Sequence, residues 1–252
     1  MRGQEMRWTI IGGSGGIGAS IASYAVQQGD AVWCTAGSFR SARKAQHNLN
    51  SISPGSRVVR HRITWYSSIV SLLGKMKRAG TADTVVVSYG PFTEKKLWET
   101  GRRNWHTMTM HNLFLPGIIV SEVLPGMLRR GSGTIVLFGG TGTGTVQGYK
   151  RIAAYSAAKT GVGVVAASAA EAVAEYELEH GKTDVRIICL CPDFVDTEYL
   201  TDQQRQRFLG LAGARGLSSA GDYAKFIWGI AHREQSFANG TILDMKTFRL
   251  SE

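Results

Sequence analysis

Tyr155 is the one tyrosine in the chain with a lysine, Lys159, four residues later. On a helix these two positions share a face, so a phenol and an ammonium would present their polar ends to one point. Such a pair can do acid–base work. A free tyrosine has a pKa of about 10, roughly three units too high for proton exchange at neutral pH, and closing that gap takes about 4 kcal/mol of preferential stabilisation of the phenolate. A neighbouring ammonium stabilises in that sense. The pair would then protonate a carbonyl oxygen while hydride reaches its carbon, or run the reverse on an alcohol. Helical spacing alone describes an ordinary surface pair equally well, so the meaning of Tyr155 and Lys159 depends on what else the chain sets beside them.

The stretch IIGGSGGIG, residues 10–18, ends one apolar run and opens a helical one. It satisfies G-x-G-x-x-G through Gly13, Gly15 and Gly18, and a wider spacing through Gly12, Gly16 and Gly18. Positions without side chains let a diphosphate approach the backbone and the following helix N-terminus, whose dipole favours anions. The pattern alone also fits a flexible turn; the strand–loop–helix setting makes it a dinucleotide candidate. An NAD site usually places a carboxylate near the end of the second strand, about twenty residues on, for the ribose hydroxyls. TAGSFRSARK at 35–44 offers none, and no acid falls between Asp30 and Asp83. Arg40, Arg43 and Lys44 stand there instead, and a guanidinium suits a 2′-phosphate through paired hydrogen bonds. The expectation is NADP(H) in preference to NAD(H), with Arg40 nearest the strand end; solvated charges on a helix start are the alternative.

Short runs rich in Val and Ile alternate with longer amphipathic stretches, which predicts strands near 7–12, 30–36, 57–63, 83–89, 133–139, 184–191 and 240–245. Helices are expected near 17–28, 40–49, 67–79, 104–130, 155–180 and 220–232. The strands lack clean polar alternation, as burial on both faces requires, so the expected class is α/β, a doubly wound parallel sheet of about seven strands with helices on both faces. No repeat or Pro/Gly/Ser linker divides the chain, and a single domain over 1–252 is expected.

An apolar share of 43% and a charged share of 19% over 252 residues are those of an ordinary globular protein, not a disordered one. No run of 18 consecutive apolar residues and no apolar leader is visible, which leads us to expect a cytoplasmic protein without a membrane role. Twenty-nine basic against 19 acidic side chains leave +10, and an anionic partner fits that balance. The charges are scattered without a nucleic-acid-recognition pattern, so phosphorylated small molecules or an acidic carrier protein are expected rather than nucleic acid. Cys34, Cys189 and Cys191 read as buried reduced thiols, and no metal site is expected, since no histidine pair accompanies them at ligand spacing.

Five segments together resemble the short-chain dehydrogenase/reductase family over nearly the full length: GGSGGIG at the first turn, HNLFLPGIIVSEVLPGM at 111–127, GTIVLFGG at 133–140, YSAAK at 155–159 and CPDFVDT at 191–197. The resemblance implies a Rossmann-type fold, an NAD(P) cofactor, Tyr155 as acid–base, Lys159 as its partner and holder of the nicotinamide ribose, and Asn112 supporting a proton-relay water. It assigns cofactor contacts to Gly12, Ser14, Gly15, Gly16, Ile17, Gly18, Arg40, Thr64, Gly90, Tyr155, Lys159, Pro192 and Thr197, the last reaching the nicotinamide carboxamide. Among such enzymes the 3-oxoacyl-[acyl-carrier-protein] reductases give the nearest substrate expectation, a ketone or 3-oxoacyl thioester; Arg129 and Arg130 would either guide an acidic carrier protein or serve as solvated charges at a helix C-terminus. The resemblance implies a homodimer or homotetramer built on the small-residue face of 161–176, with simple core packing as the alternative use of that face.

Several positions depart from the family pattern. Gly140 stands where most members have a serine that donates to the substrate carbonyl. Removal of one such donor typically costs about 10² to 10³ in rate. Thr141 is the favoured substitute and Thr143 the second candidate. The NNAG segment reads VSYG at 87–90, the leading threonine of the first motif is Ile11, the adenine-pocket aspartate is placed at Thr64, and the glycine of the PG turn is Asp193. His111 reads as a packed or surface histidine. Residues 194–219 are expected to form a mobile substrate lid. The rival reading is a catalytically weak or inactive nucleotide-sensing or scaffold protein on the same fold, which the missing serine favours and the presence of Asn112, Tyr155 and Lys159 opposes.

Overall fold

The computed structural model describes residues 5–53 and 55–247. In chain order it comprises β1 (Arg7–Ile11), α1 (Gly16–Gln27), β2 (Ala31–Ala36), α2 (Phe39–Asn50), β3 (Arg57–Arg60), α3 (Tyr66–Ala79), β4 (Thr84–Val87), α4 (Arg102–Thr109), a π-turn (Met110–Phe114), α5 (Leu115–Arg130), β5 (Ser132–Phe138), α6 (Ala153–His180), β6 (Asp184–Cys191), β7 (Val195–Asp196), α7 (Asp202–Ala212), β8 (Ser218–Ser219), α8 (Ala220–Ala231) and β9 (Ile242–Asp244). Seven strands pair in the order β3-β2-β1-β4-β5-β6-β9, every pair parallel. This is the doubly wound sheet expected from the alternating runs.

Strand periodicity builds two cores. Ile10, Val86, Val136 and Ile188 point to one face, where Ile21, Ala25, Phe226 and Ile227 of α1 and α8 cover them. Their neighbours Ile11, Val85, Val87, Ile135, Leu137 and Ile187 point to the other, under Leu72 of α3, Ile119 of α5 and Val162 and Ala166 of α6. Each fully buried aliphatic side chain contributes about 1.5–3 kcal/mol. Much of the small-residue face of α6 is spent here, since Val162, Ala166, Ala169 and Val173 pack within the chain's own core.

Asp30 fixes one end of the sheet. Its carboxylate, 3% exposed, accepts from the Met6 amide at 3.0 Å, the Trp8 indole at 3.0 Å, the Trp228 indole at 2.9 Å and His232 Nε2 at 2.8 Å. One carboxylate thus joins β1, the α1–β2 turn and α8.

Two stretches differ from the sequence expectation. The helix expected over 104–130 begins at Arg102 and widens at Met110–Phe114 into a π-turn, closed by the Leu115 amide on the Met110 carbonyl. Pro116 has no amide to offer the Asn112 carbonyl four residues earlier, which weakens the regular ladder there. The lid segment, where no helix was expected, holds an eleven-residue helix, α7, started by a Thr201–Gln204 capping box, and a short parallel ribbon of β7 and β8. Capping explains it: the signal was in TDQQ, but glycines at 210, 213 and 216 hid the helix. By length and composition the helical run Arg102–Arg130 is apolar enough to cross a membrane; 44% of its most apolar window is buried within the protein.

Candidate active site

The strand order reverses between β1 and β4, so the crevice beyond their carboxyl ends is the switch point where ligands of such sheets bind. The glycine loop lies there, and three side chains from other elements hold it. The Gly12 amide donates to Thr35 Oγ1 at 3.0 Å, and Ser88 Oγ donates to the Ile11 carbonyl at 3.1 Å. The Cys34 side chain closes the third side, since a β-carbon on Gly13 would lie 2.5 Å from the Cys34 β-carbon. Gly18 has no room for a side chain against the Gly12 carbonyl and Ser88 Oγ. Gly12, at φ +92°, needs the freedom of glycine. Ser14 and Ile17 are half-buried, Ile17 packing against the core under α1. The glycine loop therefore brings backbone amides and a helix N-terminus to one place with no side chains of its own glycines in the way, which fits a dinucleotide diphosphate.

Tyr155 and Lys159 lie in the first two turns of α6, on the face turned to β5. Lys159 is 5% exposed, its ammonium donates to the Phe138 carbonyl at 2.9 Å, and it stands 6.0 Å from the centre of the Tyr155 ring. Burial holds its pKa down to about 8. The phenol moves the opposite way from the sequence expectation. Burial first, and then the Cys191 thiol nearby, push Tyr155 up to about 12, because both disfavour the phenolate. Tyr155 therefore holds its proton throughout the neutral range. The Phe92 ring meets it edge-on at 5.0 Å.

Asn112 sits in the π-turn, completely buried. Its Nδ2 donates to the Pro91 carbonyl at 3.0 Å, while its Oδ1 has no partner. A β-carbon on Gly90 would collide with that oxygen and lie 3.3 Å from Lys159 Nζ. The glycine thus keeps one small gap open between an orphaned acceptor and an ammonium. The neighbouring His111 is buried against Tyr89, ring centres 5.6 Å apart, with its pKa lowered by burial.

Gly140 is at the position inferred from the motif: a β-carbon there would lie 3.0 Å from Tyr155 Cε1 and 3.3 Å from its hydroxyl. Of the two candidate replacements, Thr143 is the one packed at this point. Its Oγ1 is committed to the turn, accepting from the Gly140 amide at 2.6 Å and donating to the Gly140 carbonyl at 2.9 Å. Its methyl carbon, not its hydroxyl, lies 3.3 Å from the Gly140 β-position. Thr141 is half-buried in the same turn.

At the adenosine end, Arg40 is exposed in the first turn of α2. Arg60 is in register with Ala36 at the end of β2, and its guanidinium lies 3.8 Å over the Phe39 ring. Thr64 is exposed at the start of α3, its amide held by Ser68 Oγ at 2.9 Å. Arg62, two residues earlier, is the group whose charge reaches Tyr89, opposing the upward push of burial on that phenol. Pro192 is half-buried after β6, and the Thr197 methyl lies 3.6 Å from the β-position of Gly16.

Residues 8–207 match the family of short chain dehydrogenases. The chain belongs to that family. Its members are NAD(P)-dependent dehydrogenases and reductases, and this protein is an oxidoreductase of that kind. Over 238 residues, 93% of each chain, it is 27% identical to a 3-oxoacyl-[acyl-carrier-protein] reductase of Haemophilus influenzae. It is 29% identical to an uncharacterised oxidoreductase of Staphylococcus saprophyticus over 77% of this chain and 80% of that one. The fold superposes with a TM-score of 0.80 on an actinorhodin polyketide ketoreductase variant solved with NADPH, at 21% identity over 96% of both chains. It superposes equally, at 20% identity over 95% of this chain and 89% of the other, on a 3-oxoacyl-[acyl-carrier protein] reductase from Brucella melitensis.

Sequence reasoning missed Thr35 and Ser88 as clamps of the glycine loop, because a lone hydroxyl in a strand or just past its end carries no spacing signal. It also missed Glu198 and Tyr199, which reach the loop from the far side of the chain.

Proposed function

We propose that the protein is an NADPH-dependent carbonyl reductase acting on ketone or 3-oxoacyl-type substrates, its dinucleotide-binding domain spanning 1–252. The observation that carries this reading is the meeting of Tyr155, Lys159 and Asn112 beside the Gly90 and Gly140 turns. When bound, the reduced nicotinamide supplies the hydride. Tyr155 gives its proton to the carbonyl oxygen; burial holds the phenol at about 12, so transfer at neutral pH relies on a neighbouring positive charge that favours the phenolate. Lys159, charged below about pH 8, steadies the phenolate left behind. Asn112 Oδ1, unpartnered beside that ammonium, accepts a water or ribose hydroxyl through which the proton on Tyr155 is replaced. Gly12, Gly15, Gly16 and Gly18 hold the diphosphate.

The preference for a 2′-phosphorylated cofactor rests on the absence of an acid at the end of β2 and on three guanidiniums around it, Arg40, Arg60 and Arg62. A carrier-protein thioester is supported by the likeness to 3-oxoacyl reductases and by the positive charge. The outward side of α6, where Val164 is 64% exposed, is the surface for homo-oligomerisation.

Oxidation of NADPH with a panel of ketones and acyl thioesters, parent against Tyr155→Phe, tests the reading. Loss of about 10²-fold or more in turnover with nucleotide binding retained supports it; equal rates refute it. The hydroxyl-free Gly140 favours one second reading, a nucleotide sensor on the same fold, and NADPH binding without oxidation by any substrate would establish that instead.

A further inference from the structure

Helix α1 starts without a cap of its own. Gly15 occupies the N-cap, no acid follows in the first turn, and the Gly16 amide donates instead to Glu198 Oε1, 182 residues away, at 3.0 Å. The hydroxyl of Tyr199 lies against Gly15 in the space a β-carbon would fill, and its ring edge is 3.3 Å from the β-position of Gly16. Glu198 and Tyr199 are both exposed and lie between β7 and α7. From the other side, α7 is fastened by the guanidinium of Arg207, whose two nitrogens donate to the Glu94 carboxylate at 2.9 and 2.7 Å.

A carboxylate therefore already sits on the amide end where a diphosphate would bind, and one helix N-terminus cannot hold both anions. We infer that Glu198 is an autoinhibitory latch: the dinucleotide binds by displacing its carboxylate and lifting Tyr199 from Gly15, so nucleotide entry and release of the β7–α7 segment are one event. The inference rests on the dinucleotide reading of the glycine loop. It explains why a loop shaped for an anion has its own chain's carboxylate on it. The latch lowers affinity in proportion to how well the carboxylate satisfies the helix end.

Glu198→Gln keeps the shape and removes the charge; Glu198→Ala removes the hydrogen bond as well. At an exposed site neither disturbs the core. Titration by tryptophan fluorescence is expected to show NADPH and ADP-ribose binding both variants about two- to fivefold more tightly than the parent. Stopped flow should place the gain in association, with dissociation unchanged. Adenosine 2′-monophosphate, which has no diphosphate, should bind all three proteins equally. NADPH binding to the parent with no gain in either variant, or a gain shared equally by adenosine 2′-monophosphate, overturns the latch while leaving the dinucleotide reading standing. Failure of every nucleotide to bind any of the three proteins removes the dinucleotide site and the latch with it.

Discussion

The ammonium of Lys159 donates to the carbonyl oxygen of Phe138 at 2.9 Å, and burial holds it to a pKa of about 8. Its charge is present below that pH and is lost as pH rises through it. Tyr155, at about 12, does not titrate in the same range. The pH profile of the reduction rate should therefore show a single alkaline limb centred at about pH 8. Lys159→Arg should move that limb above the measurable range, at reduced rate, because a guanidinium stays charged. A profile flat from pH 6 to 10 in the parent would contradict the role given to Lys159.

Gly140 leaves the phenol of Tyr155 without a hydroxyl neighbour from the β5 end. Gly140→Ser would restore a donor at a β-position 3.0 Å from the Tyr155 ring, a fit tight enough to require a few tenths of an ångström of movement. If the site reduces carbonyls, kcat should rise by about tenfold, less than the full worth of a pre-organised donor because of that crowding. A fall in kcat with unchanged substrate KM would show that the turn is built for a different substrate geometry.

Arg60, stacked on Phe39 and level with Ala36, is better restrained than Arg40 for gripping a 2′-phosphate. Arg60→Ala should raise the Kd for NADPH by about tenfold or more while leaving NADH within twofold, since charge-assisted hydrogen bonds contribute about 1.5–3 kcal/mol. Arg40→Ala should have the smaller effect. Equal losses for NADPH and NADH from Arg60→Ala would rule out a phosphate-specific contact.

Asp30 accepts from two indoles, one amide and His232. Asp30→Ala leaves those donors without a partner in a buried site, at about 3 kcal/mol or more of stability. Urea unfolding reads this as a lower midpoint with the slope unchanged, and a shift under about 1 kcal/mol would mean that the cluster is hydrated in solution.

The seven strands were legible because each is a Val/Ile-rich run whose neighbours alternate between two buried faces. Tyr155, Lys159, Asn112 and Gly140 were placed by motif spacing, and all four meet near one point. The charge on the phenol was not legible. Helical spacing tells that two groups share a face, but the sign of a pKa shift depends on how far solvent is excluded, and burial dominates at Tyr155. Thr64, assigned to the adenine pocket by the family likeness, is exposed just before α3, with its amide held by Ser68 Oγ. Glu198 was invisible because its partner is a backbone amide at the opposite end of the sequence.

The wide turn at Met110–Phe114 ties two properties together. A helix advances about 100° per residue, so removing the extra residue of that turn would swing Leu115, Ile119 and Met127 away from the sheet as surely as it would withdraw the Asn112 amide from the cleft. A deletion in this segment would therefore be felt twice, at the placement of Asn112 in the cleft and in the packing of α5 on the sheet.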